Sequence, residues 1–194
     1  MTTRTIAILP YDPTWPDAFR SLARPLRDAL GERALRIDHI GSTSVPGLAA
    51  KDIIDIQITV ADLDDDAMIA ALSSLGYTLR DDITGDHVVP GWPDDPAEWE
   101  KRYVRVPTDA RPYHLHVRQQ GKANQRYALL FRDYLRASAT AAGAYAQIKT
   151  ALARLHPHDV DAYYDIKDPA CDLIIDAAVH WAKDVAYTPG PSDA

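Results

Sequence analysis

Cysteine is scarce in this chain of 194 residues, which contains a single one, Cys171. One cysteine excludes an intramolecular disulfide and a zinc site built from several cysteine thiolates. Because Cys171 lies in a helical apolar pattern, PACDLIIDAAV, we expect it to be a buried thiol rather than a nucleophile.

Long apolar runs are also missing. No segment approaches the ~20 consecutive apolar residues that a membrane-spanning helix needs. The first ten residues, MTTRTIAILP, lack the apolar core of a secretory signal. We therefore expect a cytoplasmic protein that has no contact with a membrane.

Positive charge is not in excess, since the formal net charge is −7. This balance argues against bulk attraction to nucleic acid or to an anionic membrane. It does not exclude a local basic pocket for a nucleotide or phosphate. The length suits one domain, or one α/β unit with a helical extension.

The most informative stretch covers residues 36–60, RIDHIGSTSVPGLAAKDIIDIQITV, in which two apolar runs flank a turn rich in glycine and serine. The two runs are predicted to be β-strands. A Gly-Ser turn after a strand leaves backbone N–H groups free to bind an anion. Gly41, Ser42 and Ser44 are therefore candidate phosphate contacts, although the two serines could simply form the turn. His39, just before the turn, is interpreted as structural.

The second of these strands carries an acid, Asp55, in an isoleucine-rich run. A carboxylate in such a strand is costly unless it is paired or binds a cation. Asp55 is therefore a candidate metal ligand or catalytic residue. The alternative is a structural ion pair with Lys51 or Arg105.

Two alternating runs around the turn PTDARP, KRYVRV and YHLHVR, predict a β-hairpin. Lys101, Tyr103 and Arg105 share one face of its first strand, and His114 and His116 share one face of the second. Asp55 together with the two histidines would suit Mg²⁺, Mn²⁺ or Zn²⁺ by ligand type.

The remaining pattern is mainly helical. Apolar spacings of three and four predict helices over 15–30, over 62–75, and from 123 onward. Pro25 is predicted to kink or divide the first of these, and separate helices are predicted over 160–167 and 169–183. We expect an α/β core over 1–120, C-terminal helices over 121–187 packed on it, and a disordered tail over 188–194.

The segments HIGSTSVPGLAAKDIIDIQITV, HLHV and FRDYLR, together with YDPTWPDAF and the pattern from Tyr145 to Lys149, resemble those of GrpB-like proteins. That family belongs to the nucleotidyltransferase superfamily. The resemblance implies an α/β (α+β) fold with a nucleotidyltransferase-like mixed β-sheet, helices on one side and a C-terminal helical segment. It covers nearly the whole chain, from about residue 6 to residue 185.

The superfamily motif is a Gly-Ser or Gly-Gly turn followed, nine to thirteen residues later, by two acids separated by one apolar residue. Here 12 residues separate Ser42 from Asp55, so the spacing fits. The second acid is replaced by an amide, Gln57. A nearby acid, Asp52, is predicted to lie on the opposite strand face from Asp55. The resemblance thus implies a nucleotide site with one certain strand acid.

The leading hypothesis from the resemblance is metal-dependent transfer of a nucleotidyl group from a nucleoside triphosphate to an unknown small acceptor. Asp55, helped by His114 or His116, would hold Mg²⁺ or Mn²⁺. The phosphates would contact Gly41, Ser42 and Ser44, while their charge would be neutralised by Lys51, Lys101 or Arg105. Two alternatives remain: a non-catalytic nucleotide- or metal-binding module, which Gln57 favours, and a metal-dependent hydrolase that uses the histidines.

Overall fold

The computed structural model describes residues 5–105 and 111–194, without the side chain of Arg105. The strands are β1 (Arg36–Ile40), β2 (Ile54–Val60), β3 (Thr78–Leu79), β4 (Lys101–Arg105) and β5 (Tyr113–Gln119). The helices are α1 (Trp15–Leu30), α2 (Asp66–Ser74), α3 (Ala123–Ala137), α4 (Ala139–Leu155) and α5 (Val160–Asp184). The expected helix from residue 62 thus begins later, where the Asp65 carboxylate accepts hydrogen bonds from the backbone N–H groups of residues 67 and 68.

The strands form one mixed sheet in the order β1-β2-β5-β4-β3. β2 and β5 are parallel neighbours, while β1 and β4 run antiparallel to them. The predicted hairpin is therefore confirmed as the antiparallel β4–β5 pair, although residues 106–110 of its turn lie outside the described part of the chain.

The two faces of the sheet differ in chemistry because side chains alternate along β2 and β5. Ile54, Ile56 and Ile58 lie on one face and are fully buried in the main hydrophobic core, with the apolar sides of α1 and α2. The opposite face carries Asp55 and Gln57, whose register partners on β5 are His114 and His116. Helix α3 lies over this polar face, where the Gln57 side chain donates a hydrogen bond to the carbonyl of residue 125. The predicted mixed sheet is confirmed, as is the placement of Asp55 and His116 on one face.

Neither proline breaks its helix, so the predicted interruptions are wrong. Pro25 lies inside a continuous α1, and Pro169 lies inside a continuous α5. Each proline deprives the carbonyl four residues earlier of its helical partner. These carbonyls belong to Ser21 and Asp165, which are exposed like the prolines themselves, so water can satisfy them.

The prediction of a disordered tail also needs correction. The Ser192 hydroxyl accepts a hydrogen bond from the Ile37 amide (2.8 Å), and the Asp193 carboxylate accepts one from the His39 amide (2.9 Å). Asp193 also forms an ion pair with Arg132 of α3 (2.7 Å). The tail thus provides hydrogen-bond acceptors for backbone N–H groups on the free edge of β1. Its proline- and glycine-rich composition does not indicate this role. Among the described residues, no helix is long and apolar enough to cross a membrane.

Candidate functional site

A cavity of about 290 Å³ opens between the polar face of the sheet and helices α3, α4 and α5. Five residues that the sequence singles out line it: Gly41, Ser42, Lys51, Asp55 and His114. They come from the turn after β1, the loop before β2, and β2 and β5 themselves. The motif spacing therefore brings its members together around one space.

Asp55 lies at the sheet side of this cavity and is largely buried. Burial raises the pKa of its carboxyl group, and the nearby His114 and Lys51 lower it only in part. Among the described residues, which leave out the side chain of Arg105, no side chain or backbone group forms a hydrogen bond or ion pair with this carboxylate. The structural alternative of an ion pair with Lys51 is not seen, since the Lys51 ammonium group donates to the Tyr164 hydroxyl (3.0 Å).

Gly41 allows the turn after β1 to pass directly against Asp55. A Cβ atom at position 41 would lie 2.1 Å from an Asp55 carboxylate oxygen, and the backbone has a φ of +69°. Both features require glycine. The residues Ser42–Ser44 then form a 3-10 turn, held by His39 and Thr43. The Thr43 hydroxyl donates to the carbonyl of Ile53 (3.2 Å) and lies 3.0 Å from Nε2 of His39.

His39 is structural, as its sequence context suggests. Its ring is buried and stacks on Phe19 with centroids 4.8 Å apart. Burial, together with the charges of Arg136 and Arg132, lowers its pKa to about 3, so the ring is neutral at physiological pH.

Lysine side chains from three elements converge on the cavity: Lys51 from the loop before β2, Lys149 from α4 and Lys167 from α5. Aromatic rings of the helices lie beside all three ammonium groups. The Lys51 ammonium lies 5.1 Å from the Tyr163 ring centroid and 4.9 Å from that of Tyr164, within the range of cation–π attraction. The cavity therefore combines one unpaired carboxylate with several fixed cations.

Lys149 is the functional candidate that the residue patterns missed, although it ends the Tyr145–Lys149 segment that carries part of the family resemblance. It is 97% buried and donates to the Ser42 hydroxyl (2.8 Å) and to the Ala49 carbonyl (2.7 Å). Burial lowers its pKa to about 7, and the neighbouring Lys167 and Lys51 also lower it. Lys149 thus ties α4 to the turn that carries Gly41.

Gln57, at the second acid position of the motif, is fully buried and is bound by protein groups. Its side-chain oxygen accepts a hydrogen bond from the Arg118 guanidinium (2.7 Å). Arg118 and Lys101 both form ion pairs with Asp86, at 2.9 Å and 2.5 Å. Although burial raises the pKa of Asp86, these two cations hold it well below its usual value.

Lys101 does not line the cavity with Asp55, because it is bound in this buried cluster. Arg118 does reach the cavity, and the alternation that puts His114 and His116 on one face would also have found it. The side chain of Arg105, the other predicted basic residue of β4, lies outside the described part of the structure.

The two histidines behave differently. His114 lines the cavity, and its Nδ1 atom is hydrogen-bonded to the Tyr103 hydroxyl. His116 is buried beneath, where its Nδ1 atom has no hydrogen-bond partner among the described residues, and burial holds its pKa well below the usual value. No group of three or more His, Cys, Asp or Glu side chains in the described ranges could hold a metal ion. Asp55, His114 and His116 therefore share a face without forming such a group.

Two further residues are used structurally. The Ser44 hydroxyl donates to the Gly41 carbonyl (2.6 Å), which makes it a turn-forming group outside the lining of the cavity. Asp52 accepts hydrogen bonds from the Trp15 indole (2.8 Å) and from Arg111, so it anchors α1 and does not supply the missing motif acid.

Comparison with known proteins relates this site to a family. A family model described as GrpB protein matches residues 5–177 of the chain. The crystal structure of the conserved protein GrpB from Enterococcus faecalis is similar with a TM-score of 0.73 at 32% identity, over 90% of this chain and 98% of that one. The Cid1 poly(U) polymerase is distantly similar over 76% of this chain and 43% of its own, at 12% identity and a TM-score of 0.48, which is too low to carry an argument.

A curated relative, the dephospho-CoA kinase of Mycolicibacterium paratuberculosis, is 36% identical over 207 residues. The match covers 97% of this chain but 51% of that protein. The chain thus spans about half the length of the curated relatives that it first matches. The name of such a relative describes a longer protein and does not describe this chain.

Proposed function

The chain belongs to the GrpB protein family, and we propose that its cavity binds a nucleoside triphosphate and transfers the nucleotidyl group to a small acceptor. One observation carries the proposal. The Asp55 carboxylate lacks a partner among the described residues, in a cavity whose other walls supply lysine and arginine side chains. A ligand with both a bound cation and several negative charges would complement these walls, and a metal-bound triphosphate is such a ligand.

The phosphates would lie along the cations. Lys51 comes from the loop before β2 and Lys149 from α4, and the Lys149 ammonium group donates to Ser42 in the 3-10 turn. Because the pKa of Lys149 is lowered to about 7, an anion beside it would raise that pKa and favour the charged form. Phosphate binding and protonation of Lys149 would thus support each other.

One divalent cation, Mg²⁺ or Mn²⁺, fits Asp55, since an unpaired carboxylate in a largely buried place lacks a counter-charge. His114 lies at the register position beside it. The ion would supply charge neutralisation at the phosphates. A second ion does not fit in the same way, because Gln57 is neutral and already accepts a hydrogen bond from Arg118.

The transfer itself would proceed as follows. An oxygen or nitrogen of the acceptor forms a bond to the α-phosphorus, and the bond from that phosphorus to the bridging oxygen breaks. Pyrophosphate leaves with the electron pair of this bond, and the displaced acceptor proton passes to water. Lys51 and Lys149 would neutralise the charge that develops on the leaving pyrophosphate.

Calorimetric titration with a nonhydrolysable nucleoside triphosphate, with and without Mn²⁺, tests the proposal. The change Asp55→Asn keeps the shape of the side chain and removes its charge. We expect it to weaken Mn²⁺-dependent binding at least about tenfold, or ~1.4 kcal/mol. The matched control is Asp81→Asn, which removes the same charge from an exposed position. Equal affinities for Asp55→Asn, Asp81→Asn and the unchanged chain would contradict the proposal.

A second candidate function, nucleotide binding without turnover, is favoured by the Gln57–Arg118 contact, because that contact leaves the motif with one free acid. Release of pyrophosphate from a hydrolysable nucleoside triphosphate, measured with a panel of small acceptors, separates the two. Transfer predicts acceptor-dependent release, and simple binding predicts none. The hydrolase alternative has less support because His116 is buried outside the cavity lining.

A further inference from the structure

A second, smaller cavity of about 150 Å³ adjoins the first. Four residues line both cavities: Arg118, Tyr127, Lys167 and Cys171. A molecule in the second cavity would therefore lie directly beside a triphosphate bound in the first. In a transfer reaction this is the relative position of acceptor and donor.

The carboxylates of the second cavity are neutralised to different degrees. Asp86 is bound by Arg118 and Lys101, and Asp168 is paired with Lys167 at 2.6 Å. Asp172 differs from both. Its one contact among the described residues is to a histidine, His87, at 3.5 Å, and that histidine side chain is 62% exposed. Asp172 is consequently the carboxylate of this cavity that lacks a strong partner.

Asn124 provides an independent sign of a missing ligand. Its side chain is 98% buried and lines the second cavity. The amide nitrogen donates to Asp86 (3.1 Å) and to the carbonyl of Glu100 (2.8 Å), which determines the orientation of the amide group. The side-chain oxygen has no hydrogen-bond partner in the described structure. A buried acceptor without a donor costs about 1–3 kcal/mol, so a donor group in the cavity would be favoured.

We propose that the second cavity binds the acceptor of the transfer reaction, and that this acceptor carries a protonated amine. This inference rests on the proposed function. The ammonium group would donate to the free side-chain oxygen of Asn124 and pair with Asp172. A carboxylate or phosphate would find neither a free donor nor an unpaired cation here, because Arg118 and Lys167 are already in ion pairs.

The walls of the cavity agree with this assignment. Trp99 and Tyr127 supply aromatic surface to it, and a cation is attracted by such surface. A neutral alcohol could donate a hydrogen bond to Asn124 or to Asp172, but it would not neutralise the charge of the Asp172 carboxylate. The two observations together, a carboxylate whose one ion-pair contact is to an exposed histidine and a buried acceptor without a donor, therefore favour an amine over a hydroxyl group.

Calorimetric titration with three four-carbon probes tests the proposal: butane-1,4-diamine, butane-1,4-diol and succinate, each in the presence of the nonhydrolysable triphosphate and Mn²⁺. We expect the diamine to bind and the other two to bind at least about tenfold more weakly. Asp172→Asn should weaken binding of the diamine about tenfold. Asp176→Asn is the matched control, because it removes the same charge one helical turn later from an exposed position.

Asn124→Leu is the second variant, since it removes the unpaired acceptor while keeping a side chain of similar size. It also removes the hydrogen bonds that the amide nitrogen donates to Asp86 and to the Glu100 carbonyl, and it should weaken binding of the diamine. Equal binding of diol and diamine, or diamine binding that is unaffected by Asp172→Asn, would overturn the amine assignment. Those results could occur with normal triphosphate binding, whereas failure of the proposed function would appear as triphosphate binding that does not depend on Asp55.

Discussion

Gly41 leaves no room for a side chain beside Asp55, and substitution of the glycine tests whether the turn packs directly against the acid. In Gly41→Ala the new methyl group would lie 2.1 Å from a carboxylate oxygen of Asp55 and 2.8 Å from its Cγ atom. Such distances require one of the two elements to move. The same substitution at Gly47 serves as the control, because its φ is also positive, +80°, and no heavy atom lies within 4 Å of the added Cβ.

The expected magnitudes follow from these two environments. A side chain at a positive φ costs roughly 1–2 kcal/mol in Gly47→Ala. The backbone cost is about 1–3 kcal/mol in Gly41→Ala, because a φ of +69° with a ψ of −173° is a conformation almost restricted to glycine. Overpacking adds about 1–3 kcal/mol at Gly41 alone. We therefore expect the free energy of unfolding to fall by about 1–2 kcal/mol in Gly47→Ala and by about 2–6 kcal/mol in Gly41→Ala.

Urea denaturation of the two variants measures the difference, and a double-mutant cycle assigns its cause. Asp55→Ala removes the oxygen and the Cγ atom that the new methyl group would meet. Gly41→Ala should therefore cost less in the Asp55→Ala background, with a coupling energy within about 0.5–3 kcal/mol. Equal losses in the two glycine variants, or additive effects in the cycle, would refute the close packing of the turn against Asp55.

Two further predictions concern buried charge. Burial raises the pKa of Asp55, so the charged carboxylate destabilises the folded state as pH rises through that pKa. Asp55→Asn should therefore be more stable than the unchanged chain at pH 8, by on the order of 1 kcal/mol, with no advantage below pH ~4. Thermal melts at the two pH values test this, and a constant difference would contradict it. Asp86→Asn should lower the free energy of unfolding by about 3–5 kcal/mol at neutral pH, because Arg118 and Lys101 lose their counter-charge. Since the pKa of Asp86 is lowered, the stabilisation that its carboxylate provides is lost only as pH falls below about 4. Equal urea midpoints for Asp86→Asn and the unchanged chain at pH 7 would refute the role of this ion-pair cluster.

The sheet and its polar face follow from local sequence patterns. Alternation in IIDIQITV and YHLHVR determines which side chains share a face, and this holds whichever way neighbouring strands pair. The motif spacing then brings Gly41 and Ser42 to the same cavity as Asp55. These parts of the site were predictable because each depends on a repeat of two residues or on a short turn.

The lysines on helices were less predictable, because their positions in the cavity depend on how the helices pack against the sheet. Lys149 and Lys167 each lie on a helix whose apolar spacing is clear, but spacing does not tell which loop the helix meets. Likewise, the alternation of β4 places Lys101 on one face of the strand but does not tell whether it meets a phosphate or Asp86. Its buried ion pair with Asp86 depends on the position of an irregular loop. Long-range contacts of this kind leave no local pattern.

The replacement of the second motif acid gives the site its particular charge balance. Two acids on one strand face could each bind a metal ion from solution. Gln57 instead accepts a hydrogen bond from a cationic side chain of the protein itself, Arg118. Asp86 and Lys101 then hold that guanidinium in place. Asp55 is the one carboxylate among the described residues that line this cavity, so any cation that arrives with a ligand has a single carboxylate to bind there. A divalent ion would therefore be held jointly by Asp55 and the phosphates, and metal affinity should depend on the presence of the nucleotide.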